Sequence, residues 1–430
     1  MEKRKDNKGR NLKTNEYQSA DGRYIYHYVD LDGKRKKVYS WRLKATDKMP
    51  AGKRFCKSLQ ELEDEIQAKL RHGIDIEKSK TLTLDDAFNS NIDKRKIRES
   101  TKSNYKYMYG KFIQPTFGKR KVSTITNEEI SELYSKLEKD NGLKPQTIQI
   151  LQTIIYPIFE KAIIKKVIVI NPCKGAYEKP EGGKEKKDSF TIEQHMRFMQ
   201  FVGTNRNKYE VWYNLLVVFL GTGFRVGELI GLTWDDIDFE NKTIKIDHQV
   251  HYGLGSDGKC AKTIAPPKTK SGNRVISMHD EVLQALSDEK QRQVKNNISC
   301  KDTISGYKLK GKTRIDVTLT NFVFLNRFGN VQLPHNTNKA FERIRQDYNE
   351  WETEQAKAEN REPVLMPHFS NHILRHTYTT RYFEAGGLPA TAASNLGHES
   401  VLTSLDEYNQ TQDDFKKKET ERLQGKILIC

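Results

Sequence analysis

The segment YNLLVVFLGTGFRVGELIGL constrains the fold of this chain most. Residues Leu215 to Leu220 are apolar on every side of a predicted helix, and such a helix avoids water only inside a large domain. Strand-like segments follow at KTIKIDHQV and NRVISM, after which helical patterns return and continue to the end. The sequence therefore predicts a mixed, mainly α-helical domain that contains a small antiparallel sheet.

A charged segment with Gly and Pro but no apolar periodicity, EKPEGGKEKKD, precedes this domain and predicts a boundary near residue 183. Before it, the pattern is helical from TLTLDDAF to about residue 178, with Thr83 and Thr126 in capping-box positions. We expect four or five helices in this region. The length of 430 residues suits about three domains.

Positive charge is concentrated near the N-terminus. The chain carries a formal net charge of +17, and its first 58 residues hold 17 Lys and Arg against 7 Asp and Glu. Here RYIYHYVDLDGKRKKVYSWRL predicts a hairpin with Tyr24, Tyr26 and Tyr28 in alternation, and residues 59–70 predict a helix that covers it. Cations neutralise phosphates and aromatic rings pack on sugars or bases, so this small α+β module predicts nucleic-acid binding.

The composition argues against several other classes of protein. No segment approaches the roughly 20 apolar residues of a membrane span, and no apolar signal core follows the charged N-terminus. We therefore expect a cytoplasmic protein without a membrane partner. The five cysteines are scattered, without a CxxC pair or a nearby Cys/His cluster, which predicts neither a disulfide framework nor a zinc site.

Three short motifs in the C-terminal part carry side chains suited to phosphodiester chemistry. The motifs are GTGFRVGEL with Arg225 and, one turn later, Glu228; HFSNHILRHT with His372 and Arg375 on one helix face; and NLGHESVLTSLDEYNQ with His398 ten residues before Tyr408. Each motif alone is a weak signal. Together they supply two guanidiniums, two imidazoles and a phenol, which suit attack on a phosphodiester without a metal ion.

The chemistry of phosphoryl transfer suggests a role for each side chain. The two arginines suit the nonbridging phosphate oxygens, since planar guanidiniums bind them bidentately as negative charge builds up. The phenol of Tyr408, whose ordinary pKa is about 10, becomes a nucleophile beside cations or a base, for which His372 is the candidate. The departing 5′ oxygen needs a proton donor. The segment PPKTKSGNR offers Lys268, which we prefer, and Lys270 two residues away.

In this order and spacing, the motifs resemble those of the tyrosine recombinases, in particular the integrases of conjugative transposons and related phages. The resemblance covers nearly the whole chain and implies a multidomain fold like that of tyrosine recombinases and type IB topoisomerases. It implies an arm-type DNA-binding domain at residues 1–74, an all-α core-binding domain at 80–180, a mainly-α catalytic domain at 184–410 and a tail at 411–430 that docks on a neighbouring protomer. The family's catalytic set falls on Arg225, Lys268, His372, Arg375, His398 and Tyr408, with Glu228 supporting Arg225.

The resemblance also implies a reaction, the integration and excision of a mobile element by conservative recombination. Tyr408 would attack a DNA strand, form a 3′-phosphotyrosyl link and release a 5′ hydroxyl, without ATP, a metal ion or another cofactor. Four protomers would exchange strands through a Holliday junction. The implied partners are double-stranded DNA with core and arm sites, further copies of the chain, and an excisionase or DNA-bending accessory protein.

Other functions stay open at the level of sequence. A type IB topoisomerase uses a similar residue set without synapsing two sites, and a DNA-binding regulator would need no catalysis. A metal-dependent transposase would need converging carboxylates, and the dense acidic cluster Asp235, Asp236 and Asp238 is better interpreted as the solvated start of a strand. Residues 297–320 predict an enlarged loop to which the resemblance assigns no role.

Overall fold

A computed structural model of the chain describes residues 4–178, 189–254 and 260–402. The chain divides into two compact units, residues 1–182 and 183–430. Among the helices in the described ranges, none is long and apolar enough to cross a membrane.

The first unit begins with a three-stranded antiparallel sheet and a helix packed on one of its faces. Tyr24, Tyr26 and Tyr28 lie on this face and are buried with Leu59 and Ile66. Strand alternation turns these three rings into the core, so they do not supply the aromatic contacts to nucleic acid that the composition of the module suggests. The elements are β1 (Glu16–Gln18), β2 (Tyr24–Val29), β3 (Arg35–Ser40) and α1 (Leu59–Arg71).

The rest of the first unit is helical around a second apolar core. The predicted capping boxes at Thr83 and Thr126 are both present. Between the first two domains that the resemblance implies lies a short helix that Asp75 caps, and the Asp75 backbone N–H donates to the Lys166 carbonyl at 2.7 Å. The helices are α2 (Ile76–Thr81), α3 (Leu84–Ile92), α4 (Glu99–Met108), α5 (Gln114–Phe117), α6 (Asn127–Lys139) and α7 (Pro145–Ile164).

The second unit is built around the apolar helix that the sequence predicts. This helix, α9, buries Leu215, Leu216, Val218 and Phe219 in the largest core of the unit. The helices of the unit are α8 (Ile192–Thr204), α9 (Arg206–Thr222), α10 (Val226–Gly231), α11 (Asp280–Lys295), α12 (Pro334–Ala358), α13 (Asn371–Glu384) and α14 (Pro389–Leu396).

Two small sheets accompany these helices, where the sequence predicted one. A three-stranded antiparallel sheet has the order β4-β5-β8, and a four-stranded sheet has the order β10-β9-β7-β6 with β7 and β9 parallel. The segment KTIKIDHQV contributes one strand to each sheet. The strands are β4 (Ile237–Asp238), β5 (Thr243–Ile246), β6 (Gln249–Leu254), β7 (Cys260–Ala265), β8 (Arg274–Ser277), β9 (Ile304–Lys310) and β10 (Thr313–Leu319).

The enlarged loop predicted at residues 297–320 is largely a regular hairpin, formed by β9 and β10. Its strands pair antiparallel from Ile304 and Leu319 to Lys310 and Thr313. It joins the sheet where Gly306 lies opposite Ile264 of β7. A Cβ atom at Gly306 would lie 2.0 Å from the Ile264 carbonyl oxygen, so glycine permits this close approach.

Candidate active site

Arg225 lies between α9 and α10 and is hydrogen-bonded to Glu228. It occupies the cap position of α10, where its backbone N–H and its Nη1 donate to the two carboxylate oxygens of Glu228 at 3.1 and 3.0 Å. The Glu228 side chain is fully buried, whereas that of Arg225 is 22% exposed. Burial alone would raise the pKa of the Glu228 carboxyl, but the charges of Arg274, Arg225 and Arg375 lower it below its usual value. The ionised carboxylate therefore orients the Arg225 guanidinium, which keeps an accessible edge.

Arg274 is a second partner of Glu228 that sequence reasoning missed. Its Nη2 donates to a Glu228 oxygen at 2.9 Å, its Nε donates to the Asn395 carbonyl at 2.6 Å, and its Nη1 donates to the Gly272 carbonyl at 2.9 Å. The side chain is 5% exposed. In a segment as basic as PPKTKSGNR, the sequence alone predicts that an arginine is exposed to solvent. Only the tertiary contact with Glu228 reveals its burial.

Arg375 joins the ends of two helices and a histidine. Its Nη1 donates to the Gly223 carbonyl at 2.8 Å, and its Nη2 lies 2.7 Å from both the Leu396 carbonyl oxygen and Nε2 of His398. Helices α9 and α14 end in the left-handed glycines Gly223 and Gly397, with φ angles of 64° and 65°. A Cβ atom at Gly223 would lie 2.3 Å from the Tyr378 ring.

His398 is buried and neutral at physiological pH. Burial and the charges of Arg375, Arg225 and Arg274 lower the pKa of its imidazole to about 3. Because a guanidinium only donates hydrogen bonds, the contact with Arg375 makes Nε2 of His398 an acceptor. The proton of the neutral ring therefore lies on Nδ1.

The turn between β7 and β8 brings both candidate lysines to the same region. Lys268 and Lys270 are exposed, and the turn is fixed to the residue before His398. The hydroxyls of Thr269 and Ser271 donate to the Gly397 carbonyl at 2.9 and 3.2 Å. Nη2 of Arg225 approaches the same oxygen at 3.5 Å.

Of the two remaining candidate residues, His372 and Tyr408, the described ranges contain only His372. His372 lies on the exposed side of α13 with its ring centroid 4.4 Å from that of His376. Tyr408 and the tail at 411–430 lie outside the described residues. Of the other tyrosines near the C-terminus, Tyr378 is buried, and burial raises the pKa of its phenol.

The acidic cluster that a metal-dependent transposase would require has local structural roles. Asp236 accepts hydrogen bonds from the backbone and side chain of Thr233, and Asp238 accepts two backbone N–H groups of the following turn. A different group, Asp236 with Asp247 and His248, has atoms close enough for a metal ion. Lys245 and Lys308 form ion pairs with Asp247. The Nδ1 atom of His248 contacts Asp247, and its Nε2 atom contacts the Gly231 carbonyl oxygen. These contacts explain the group as a structural cluster between strands.

Comparison with known families assigns the catalytic unit. Residues 189–414 match the phage integrase family, residues 91–138 match its N-terminal SAM-like domain, and residues 1–70 match the DNA binding domain of the Tn916 integrase. The transposase from transposon Tn916 of Enterococcus faecalis is 32% identical over 425 residues, which cover 98% of this chain and 97% of that protein. The ICEBs1 integrase of Bacillus subtilis (strain 168) is 25% identical, covering 84% of this chain and 88% of that protein.

Solved structures agree with this assignment. The Tn1549 transposon integrase in complex with transposon right end DNA is 27% identical and has a TM-score of 0.62, covering 80% of this chain and 99% of that one. A lambda integrase dimer bound to a core site shares the fold, with 15% identity and a TM-score of 0.52 over 93% of this chain and 95% of that one.

These matches define an enzyme that cleaves and rejoins DNA strands, a tyrosine-type site-specific recombinase. This chain belongs to the phage integrase family. The predicted multidomain fold, with N-terminal DNA-binding modules before a mainly α-helical catalytic unit, is confirmed.

Proposed function

We propose that this chain integrates and excises a mobile DNA element, with Arg225, Lys268, His372, Arg375, His398 and Tyr408 as its catalytic residues. The observation that carries the proposal is the convergence of two arginines, a buried neutral histidine and a lysine-bearing turn on residues 396–398. The relatives among transposon integrases, one of them solved on DNA, support double-stranded DNA as the substrate.

In this mechanism the guanidiniums bind the nonbridging oxygens of the scissile phosphate, where negative charge develops. The Tyr408 oxygen forms a bond to phosphorus, with His372 as the candidate base for its proton. The bond to the 5′ oxygen breaks, and the leaving oxygen takes a proton from Lys268. A free 5′ hydroxyl of the partner DNA then attacks phosphorus and gives up its proton. The bond between phosphorus and the Tyr408 oxygen breaks, the phenol regains a proton, and the DNA phosphodiester is restored.

The N-terminal module binds arm sites and the helical region binds core sites in this proposal. The arm-binding domain is residues 1–74, the core-binding domain is residues 80–180, and the catalytic domain is residues 184–410. The tail at 411–430 docks on a neighbouring copy. A tetramer on two synapsed sites fits the lambda integrase tetramer solved on a Holliday junction. An excisionase or DNA-bending protein would set the direction. The match of residues 1–70 to the DNA binding domain of the Tn916 integrase favours an integrase over a type IB topoisomerase.

The test is covalent trapping on a nicked attachment-site duplex, from which the cleaved fragment cannot religate. We expect Tyr408→Phe to abolish the covalent complex and to leave DNA binding within about threefold, because only the nucleophilic oxygen is lost. Tyr382→Phe serves as the matched control. A DNA-linked peptide containing Tyr378 or Tyr382 would overturn the assignment, and retained covalent attachment in Tyr408→Phe would do so as well.

A further inference from the structure

Two side chains of the turn that carries the two lysines bind the same carbonyl group in the segment before His398. The Gly397 oxygen accepts hydrogen bonds from the Thr269 and Ser271 hydroxyls at 2.9 and 3.2 Å. These residues follow Lys268 and Lys270 directly in the sequence. Two side chains from one exposed turn therefore converge on the residue that precedes His398.

Arg274 holds the same turn from its other end. Its buried guanidinium donates to the Gly272 carbonyl within the turn and to the Asn395 carbonyl at the end of α14. The two segments also pack closely. A Cβ atom at Gly397 would lie 3.0 Å from the Cα atom of Gly272, so glycine allows the hydroxyls to reach the carbonyl.

We propose that Thr269, Ser271 and Arg274 are positioning residues that hold the general-acid lysine of this turn in place. Lysine has a long flexible stem, and an effective general acid must lie within reach of the leaving oxygen as the bond breaks. Fixing the backbone on both sides of the lysines restricts where the ammonium group moves. This inference rests on the proposed function, since it assumes that a lysine here protonates the 5′ oxygen.

The experiment compares two nicked substrates in full-length protein, an ordinary phosphodiester and one with sulfur replacing the bridging 5′ oxygen. A thiol has an ordinary pKa of about 8.5, so the sulfur leaves as a thiolate and needs no general acid. We expect Thr269→Val with Ser271→Ala to slow cleavage of the phosphodiester by about 10- to 100-fold. Cleavage of the sulfur substrate should change by less than about threefold, because phosphate binding is intact. Arg274 stays unchanged in this test because it also binds Glu228.

Two control variants separate positioning from damage to the fold. Thr269→Ser with Ser271→Thr keeps both hydroxyls and should restore phosphodiester cleavage. Thr263→Val removes a hydroxyl of β7 whose contact with the His251 carbonyl is 3.5 Å long and should leave both substrates unaffected. An equal loss on both substrates, no loss on either, or a failed rescue by the hydroxyl-retaining variant would overturn the inference.

Three further variants distinguish failure of this inference from failure of the proposed function. Lys268→Ala should show the same preference for the sulfur substrate, and Lys270→Ala should show it instead if that lysine is the acid. If neither lysine variant shows the preference, no lysine of the turn is the acid and the inference fails. Arg225→Lys should slow both substrates because it removes a bidentate phosphate contact. Normal cleavage by Arg225→Lys would instead refute the proposed catalytic set.

Discussion

His398 shows how burial sets the protonation of a single residue in the site. Its folded pKa of about 3 lies below the ordinary value of about 6.5 for an unfolded histidine. A lowered histidine pKa means that folding favours the neutral ring, so this contribution to stability is complete above about pH 6.5. It declines as the pH falls from there towards 3, because the unfolded state binds the proton more readily.

We predict that removing this imidazole flattens the pH dependence of stability. Between pH 7 and pH 5, the free energy of unfolding should fall by about 2 kcal/mol more in the wild type than in His398→Gln. Urea titrations followed by tryptophan fluorescence measure this, since Trp212, Trp234 and Trp351 lie in the second unit. His279→Gln, at the position that precedes the first residue of α11, is the control. Parallel curves for wild type and His398→Gln would contradict the prediction.

For single residues, the sequence identifies the reactive side chains but not the residues that hold them in place. The spacing of Arg225 and Glu228 places them one helical turn apart. The role expected of Arg225 follows from phosphoryl-transfer chemistry, and that expected of Glu228 follows from the resemblance. Arg274 was not predicted, because its partners come from α10 and the end of α14, more than 40 residues before it and 120 residues after it. No local pattern contains such contacts.

Among the elements, the β9–β10 hairpin departs most from the sequence-based expectation of a loop. Residues in β10 are mostly exposed, so the hairpin lacks the strict apolar alternation that identifies a half-buried strand. The split of KTIKIDHQV has a local cause as well. Asp247 and His248 lie between β5 and β6, where Asp247 pairs with Lys308 of β9 and His248 contacts the Gly231 carbonyl. These contacts separate the two strands.

We predict that Gly306→Ala detaches this hairpin from β7. The added methyl group would overlap the Ile264 backbone, and a clash of this kind costs about 1–3 kcal/mol. Hydrogen exchange of the amides at 304–319 should therefore accelerate by about 10-fold or more. Gly311→Asn is the control, since that turn position has open space and a φ angle of 63°, which asparagine tolerates. Equal exchange in the two variants would show that β7 does not hold the hairpin.

At the scale of the whole molecule, positive charge is distributed unevenly, and the first sheet presents part of it on one face. In the pairing of β2 with β3, Lys37 lies opposite His27 and Arg35 lies opposite Val29. These residues alternate with the buried tyrosines, so they lie on the face away from α1. Tyr39 shares this face and is 42% exposed. The sequence predicted the charge and the hairpin, whereas which rings face outwards depended on the strand register.

We predict that this face, rather than the charge of the module as a whole, binds arm-site DNA. Arg35→Ala with Lys37→Ala should weaken binding to arm-containing duplexes and reduce the salt slope by about 2, since each phosphate contact contributes about 0.9. Binding to core-only duplexes should stay unchanged. Lys69→Ala with Arg71→Ala, in the last turn of α1, removes the same charge from the covering helix. Fluorescence anisotropy across a salt series provides the comparison, and equal effects of the two double variants would refute it.

The position of Arg375 also bears on how this kind of protein evolves. One guanidinium there satisfies the carbonyl at the end of α9, the carbonyl at the end of α14 and the ring of His398. In the proposed mechanism the same guanidinium binds the scissile phosphate, so natural selection for a folded protein and for recombination acts on one side chain. A descendant that loses recombination but survives as a DNA-binding protein is free to discard Tyr408, whereas losing Arg375 would leave buried acceptors without a donor. Decay of activity in such a lineage should therefore begin at the nucleophile and reach Arg375 last.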